Sequence, residues 1–399
     1  MILPLIIAGS FCTTFALEWG LNWLALIPWR RSVGKHWTER ACLLYPARKS
    51  ASFNLWFLIV LSIVVTLILN PQINLLFAAV PALLGALLGS YPLSRELQPE
   101  IRFKSWLHLV ASSLLLMLGF WVALVLGMIA MPENFGLLTW VIAGLVLLVM
   151  IAFLFGLGVR LMRWLRLLKP APEHLAVLVG EVSQKMAVPV RATWVLSTHV
   201  DNAVALPLTR QLIFTSKLLS THPDGEIKAI CAHELGHLNE PRKVIFVRVL
   251  VALALYPLVF INPMNSLNGM ANGCLLLLIP VLLLIFTGRR LSRRMEKRAD
   301  QIAAENQSES TVYARALERL YQTNQMPAVM PRRANKIHPD LYDRMLASGV
   351  TPEFPKPAPA KGLSWTSYVL LAGIIVIPVL IGFAKAFWIA CNDMSQNIR

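Results

Sequence analysis

Long apolar runs dominate the chain, separated by shorter polar stretches. Eight runs predict membrane helices, at about 2–29, 53–70, 73–90, 106–131, 137–159, 245–262, 273–288 and 366–390. Crossing a bilayer takes about 20 mostly apolar residues as helix, so the second, third and seventh runs are short for the task. Pro and Gly inside several of them are tolerated in lipid. The first run begins at Ile2 with no basic residue before it and outlasts a signal-peptide core, so it is read as a retained span.

Two polar stretches interrupt the apolar pattern. The first, 170–243, opens on Pro170-Ala171-Pro172, then predicts an amphipathic helix over 173–186 and a strand over Ala192 to Leu196. Two short β-rich runs follow, Asn202 to Leu206 and Leu212 to Thr215, with Pro207 between them. A further helix is expected to start with Thr221 as N-cap and Pro223, Asp224 and Glu226 in its opening turn. The second stretch, 289–365, reads as helix to about 322. It then passes through Pro327 and Pro331 to a proline-rich linker at 352–359.

Composition supports the membrane reading. Hydrophobic residues make up 56% of the chain and charged residues only 15%, against about a quarter in an ordinary soluble domain. The net charge of +16 is not that of a nucleic-acid binder, because the basic residues cluster beside the apolar runs. They lie at 30–49, 95–104, 160–169 and 289–298, while the loops near 71–72, 132–136 and 263–272 carry no Lys or Arg. By the positive-inside rule this alternation puts both large polar stretches in the cytoplasm and both termini outside. Glu18, Arg248 and Lys385 lie toward span ends, where snorkelling is the simplest expectation. The five cysteines match neither a zinc finger nor a disulfide framework and read as buried free thiols.

The chemistry concentrates at His233-Glu234-Leu235-Gly236-His237. Residues four apart share a helix face, so both imidazoles can address one ion. Zinc suits two neutral imidazoles, lowers the pKa of a water to about 7 and polarises a carbonyl, while the adjacent Glu can take the water's proton. A third protein ligand is needed. No third His follows at close spacing, since Pro241 and Arg242 intervene. Glu296 and Asp300, far downstream, share a helical face, so that one could bind metal and the other orient a ligand His. Spacing alone leaves open a plain solvated helix after the basic cluster.

Three blocks carry a resemblance: Ala232 to His237; Glu296-x-x-Ala299-Asp300; and His338-Pro339-x-x-x-x-Arg344. They stand in the order found in the integral-membrane zinc metallopeptidases that include the HtpX-like and CAAX prenyl proteases. The chain resembles that family over about 200–345. The resemblance implies one Zn²⁺ per chain held by His233, His237 and Glu296, with Glu234 as catalytic base and Asp300 orienting a ligand. It implies that His338 and Arg344 lie at the active site and steady substrate or oxyanion. Asn202-Ala203-Val204-Ala205 resembles the family's edge strand, to which an extended peptide could add. Lys217 and Ile337 depart from the residues usual at their positions.

The expected fold is therefore mainly α, with about eight membrane helices and a small cytoplasmic α+β zincin-like metallopeptidase domain. The expected division is a membrane domain at 1–169 with five spans, catalytic parts at 170–244 and 289–363, a membrane hairpin at 245–288, and a last span at 364–399. The expected activity is endopeptidase cleavage of membrane-associated proteins or peptides at the cytoplasmic face of a bacterial inner membrane. Five leading spans also fit a CAAX-like protease that takes lipidated or short peptides in an intramembrane chamber. A proteolytic sensor-transducer is a third reading, but it would carry a large ligand domain after the last span, where only a short tail follows. The expected partners are substrate and bilayer, with no nucleic acid; oligomeric state is not legible.

Overall fold

The computed structural model describes residues 2–69, 76–268, 270–307, 310–331 and 339–397. The chain is mostly helical, with one small sheet. Among the described residues, six helices are long and apolar enough to cross a membrane, or seven when the pair Phe103–Leu116 and Gly119–Ala130, bent by 66°, counts as one. The expected span at 273–288 lies within the helix Met270–Glu305, where many side chains fall outside the described residues.

The chain divides into two compact units. One comprises Met1–Phe103, Gln325–Ala334 and Lys356–Arg399; the other comprises Lys104–Asn324 and Asn335–Pro355. In the first, helices Ile2–Ala25, Trp37–Leu69 and Leu76–Leu97 pack together, joined by Trp365–Asn397. The second helix is much longer than its apolar run, because it continues through the basic residues from Trp37, past Pro46. A hydropathy window sees only the lipid-facing part of such a helix. Gly85 permits the closest approach: a Cβ there would lie 2.3 Å from the Phe11 carbonyl oxygen. Small residues let apolar helices pack backbone to backbone where lipid offers no hydrophobic drive. Glu18 is turned inward, fully buried, and accepts a hydrogen bond of 2.8 Å from Asn22. The last helix is tied to the second by Ser364 N–H on Ser50 (2.8 Å) and Ser367 on Asn54 (2.9 Å). The placement of Lys385's side chain lies outside the described residues. Of the described cysteines, Cys231 is buried as expected, whereas Cys12 is exposed.

The second unit holds the sheet: β1 (Leu168–Pro170), β2 (Ala192–Leu196), β3 (Ala203–Leu206) and β4 (Gln211–Thr215). Its order is β1-β2-β4-β3, with β2 and β4 parallel and the outer pairs antiparallel. β3 is thus an edge strand. One face buries Leu168 and Ile213 against Val159 and Met162 of the helix Leu157–Trp164. The helix Glu173–Lys185 buries Leu175, Leu178, Val179 and Val182, the stripe its periodicity predicts.

The motif helix, Asp224–Leu238, is central to this unit. Ile227, Ala229, Ile230, Cys231, Ala232, Leu235 and Leu238 are all buried, so apolar side chains meet packed neighbours all round it. Its N-cap is Pro223, not Thr221. Thr221 instead ends the short helix Ser216–Thr221, where its hydroxyl donates to the Lys217 carbonyl (2.9 Å). Thr221 is the last residue of that helix, and His222 and Pro223 stand between it and the first helical residue, Asp224. Asp224 and Glu226 occupy the first turn, where the helix dipole favours acids.

A buried ionic cluster pins this helix start. His222 sits between Asp201 (Nε2 to Oδ2, 2.8 Å) and Glu226 (Nδ1 to Oε2, 2.8 Å), and Arg319 forks onto Glu226 at 2.8 and 3.1 Å. Burial alone would push the His222 pKa down, but the two carboxylates outweigh it and raise the pKa above 6.5. Burial would likewise raise Glu226, yet His222 and Arg319 hold it below the usual carboxylate range. The signs differ. The His222 contribution is full below about pH 6.5 and is lost as pH rises through its raised folded value; that of Glu226 is lost as pH falls through its depressed value. The thermal midpoint of the wild type is therefore expected to fall between pH 6.5 and alkaline pH, and that of His222→Gln to be lower at pH 6.5 and flatter above it. Parallel slopes for the two proteins would remove His222 as the source.

Candidate metal centre

Three elements assemble the site. The motif helix carries His233, Glu234 and His237; the helix Met270–Glu305 carries Glu296 and Asp300; the helix Ser310–Thr323 carries Tyr313. The first two cross closely because Gly236 meets Ala299: a Cβ on Gly236 would lie 3.1 Å from Ala299 Cα and 3.3 Å from its Cβ. Larger residues at either position would separate Glu296 from the histidines. Arg298, on the same helix as Glu296, donates to the Asn239 carbonyl (3.2 Å) at the C-terminal end of the motif helix. Pro241 then opens the next helix.

His233 and His237 face each other across 5.0 Å between ring centroids. Glu296 reaches both: Oε2 is 3.7 Å from His233 Nε2, and Oε1 is 3.5 Å from His237 Nε2. Each of the three offers one ligand atom, all within 4.8 Å of one another, so together they could hold a metal ion. Two imidazole nitrogens and one carboxylate oxygen form a donor set that suits zinc and leaves a coordination position open.

Hydrogen bonds to the far nitrogens fix both tautomers. Tyr313 donates its hydroxyl proton to Asp300 Oδ1 (2.6 Å), so toward His233 Nδ1 (2.9 Å) the hydroxyl accepts. Asp300 itself stands 3.1 Å from that nitrogen. Nδ1 therefore carries the hydrogen, and the Nε2 lone pair faces Glu296. Arg344 forks onto Asp300 at 2.9 and 2.6 Å and also donates to Tyr313 (3.0 Å). Burial alone would raise Asp300, but His233 and Arg344 hold it well below the usual carboxylate range. Tyr313 is held well above its ordinary value, by burial first, and keeps its proton.

On the other histidine, His237 Nδ1 meets Glu240 Oε1 at 2.9 Å, and Arg248 Nη2 donates to the same oxygen at 2.6 Å. Burial disfavours charge on His237. Hydrogen bonds to Glu240 and Glu296, with the nearby charge of Glu234, outweigh it and push the pKa up to about 10. Without metal the ring therefore holds a proton on each nitrogen, and a metal ion at Nε2 would displace one of them. Cys231 behind the motif is pushed up to about 12 by burial and Glu234, so it stays a thiol.

Glu234 points to the sheet edge. Its Oε2 accepts the Ala205 backbone N–H at 2.7 Å. Asn202 takes its hydrogen bond from Thr215 N, so in the antiparallel ladder Val204 faces β4, while Ala203 and Ala205 direct their main-chain groups outward. The expected edge residues Asn202, Ala203, Val204 and Ala205 thus stand beside the expected base. Residues 172–348 match the family model described as peptidase family M48.

This segment is an M48 peptidase domain. A comparison with curated proteins gave no match. The M48 domain contains every site residue expected from sequence. The structure brings His233, Glu234, His237, Glu296, Asp300 and Arg344 together; His338 lies outside the described residues. Sequence reasoning missed Tyr313 and Glu240. Glu240 stands three residues after His237, just past the helix end at Leu238, where a short spacing still lets its side chain reach back to the ring. Tyr313 had no such signal: it sits on a separate helix among buried alanines.

Proposed function

We propose that the chain is a zinc-dependent endopeptidase of the membrane, with His233, His237 and Glu296 as metal ligands and Glu234 as general base. The observation that carries this reading is the convergence of three ligand atoms within 4.8 Å in an M48 domain, with Glu234 on the same helix turned to an open sheet edge. Zinc held there would lower the pKa of a water and polarise the scissile carbonyl.

The protein's own groups do the rest. A substrate strand pairs with the outward main chain of Ala203 and the carbonyl of Ala205, whose N–H is held by Glu234, and this sets its own carbonyl beside Glu234. Glu234 accepts a proton from water as the oxygen bonds to the carbonyl carbon. It returns that proton to the amine as the C–N bond breaks. Arg344, buried on Asp300 and Tyr313, acts through them on His233 and keeps its ring aligned. His338, from the same sequence block as Arg344, is assigned to substrate or oxyanion by resemblance alone.

The apolar helices make substrates at or in the bilayer the natural class, and the alternating loop charges favour a cytoplasmic active site. Purified in detergent, the protein should carry about one zinc per chain, lose peptide hydrolysis on chelation and regain it with added zinc. Hydrolysis that persists through complete metal removal would refute the assignment.

A further inference from the structure

Glu240 is an expensive residue in its position. Its side chain is 1% exposed, and among the described residues its Oε2 has no hydrogen-bond partner. A buried carboxylate is costly unless paired. Oε1 meets His237 Nδ1 at 2.9 Å and Arg248 Nη2 at 2.6 Å. Arg248 belongs to the helix Arg242–Ala252, which opens the candidate span Arg242–Leu267. Instead of reaching into the headgroups, it turns its guanidinium back to the site.

The arrangement repeats what surrounds the other histidine. His233 meets Asp300, and Asp300 is held by Arg344. His237 meets Glu240, and Glu240 is held by Arg248. Two histidine–carboxylate–arginine chains therefore converge on one centre, one arginine from the helix Leu341–Ala347 and the other from a membrane helix.

We infer that Glu240, held by Arg248, is a positioning residue that fixes His237 with its hydrogen on Nδ1 and its Nε2 lone pair toward the metal. The inference rests on the zinc reading above and extends it: metal affinity depends on a residue of the membrane helix. A carboxylate on a ligand imidazole raises its basicity and locks its rotation, and loss of such a partner typically costs about 10–100-fold in metal affinity. Arg248 holds the carboxylate facing the ring. Removing the arginine weakens the same equilibrium by a smaller factor.

The test uses full-length protein in detergent and a chromophoric chelator competing for zinc. Expected is a 10–100-fold rise in zinc Kd for Glu240→Ala and a smaller rise for Glu240→Gln, whose amide oxygen still accepts the Nδ1 hydrogen. Arg248→Met should also raise Kd, and Arg248→Lys should recover part of the loss. The thermal midpoint of zinc-free protein is measured beside it, because a purely structural role would move that midpoint and leave Kd alone. Wild type that binds zinc and a Glu240→Ala protein that binds it equally well overturn this inference alone. Wild type that binds none overturns it together with the zinc reading.

Discussion

Glu234→Gln is expected to keep its zinc and lose its turnover. The substitution is nearly isosteric, and the amide oxygen can still accept the Ala205 N–H that Oε2 accepts at 2.7 Å. What the amide cannot do is take a proton from water. General-base loss typically lowers the rate about 10²–10⁴-fold. The matching variant is Glu296→Ala, which leaves Glu234 in place and removes one of three ligand atoms. It should lose zinc and activity together. Measuring zinc per chain and kcat on the same two preparations separates the roles: base without metal effect, ligand without base effect. Retained turnover in Glu234→Gln would end its assignment as base. Full zinc in Glu296→Ala would move the third ligand elsewhere, with Asp300, on the same helix and 3.1 Å from His233 Nδ1, the next candidate.

The candidate metal centre was legible where chemistry imposes spacing. His233 and His237 must share a helix face, and a helix offers that at four residues. Glu296 was not legible from spacing, because the contact that brings it in runs through Gly236 and Ala299, two small residues with no signal of their own. The resemblance supplied it. Glu240 lies just past the helix end at Leu238 and reaches back to His237 from the turn. It was overlooked because an acid beside Pro241 and a basic stretch reads as a solvated helix end. Arg248 reads as a snorkelling residue for the same reason: sequence shows a charge near a span end but not which way it turns.

The membrane part shows the converse. Apolar runs marked where lipid-crossing helices lie, but not their ends. The helix from Trp37 to Leu69 includes Arg40, Arg48 and Lys49, because a backbone already hydrogen-bonded in the apolar part propagates at little cost through residues of good helix propensity. Thr221 failed as an N-cap for a local reason, since it ends the preceding short helix two residues before the actual cap, Pro223. Tertiary neighbours, unseen in a linear pattern, decided each of these cases.

Arg344→Met is expected to destabilise the M48 domain and to loosen the metal centre at once. Arg344 is only 7% exposed and gives Asp300 two hydrogen bonds while also meeting Tyr313. Without it, Asp300 is left as a buried carboxylate facing a tyrosine hydroxyl and a neutral ring. Breaking a buried ion pair from one side costs about 3–5 kcal/mol, most of it the desolvation of the abandoned charge. The thermal midpoint should fall by several degrees, and zinc Kd should rise because His233 loses its anchored partner. The double variant Arg344→Met/Asp300→Asn removes the orphaned charge and should recover part of the stability, a coupling that a double-mutant cycle measures directly. The alternative role, direct contact with substrate or oxyanion, makes a different forecast. Arg344→Met would then leave midpoint and zinc affinity at wild-type values and change only KM or kcat, and the Asp300 substitution would rescue nothing. The buried fork from Arg344 Nε and Nη2 to Asp300 favours the first outcome, since these donors are directed to a carboxylate beside His233.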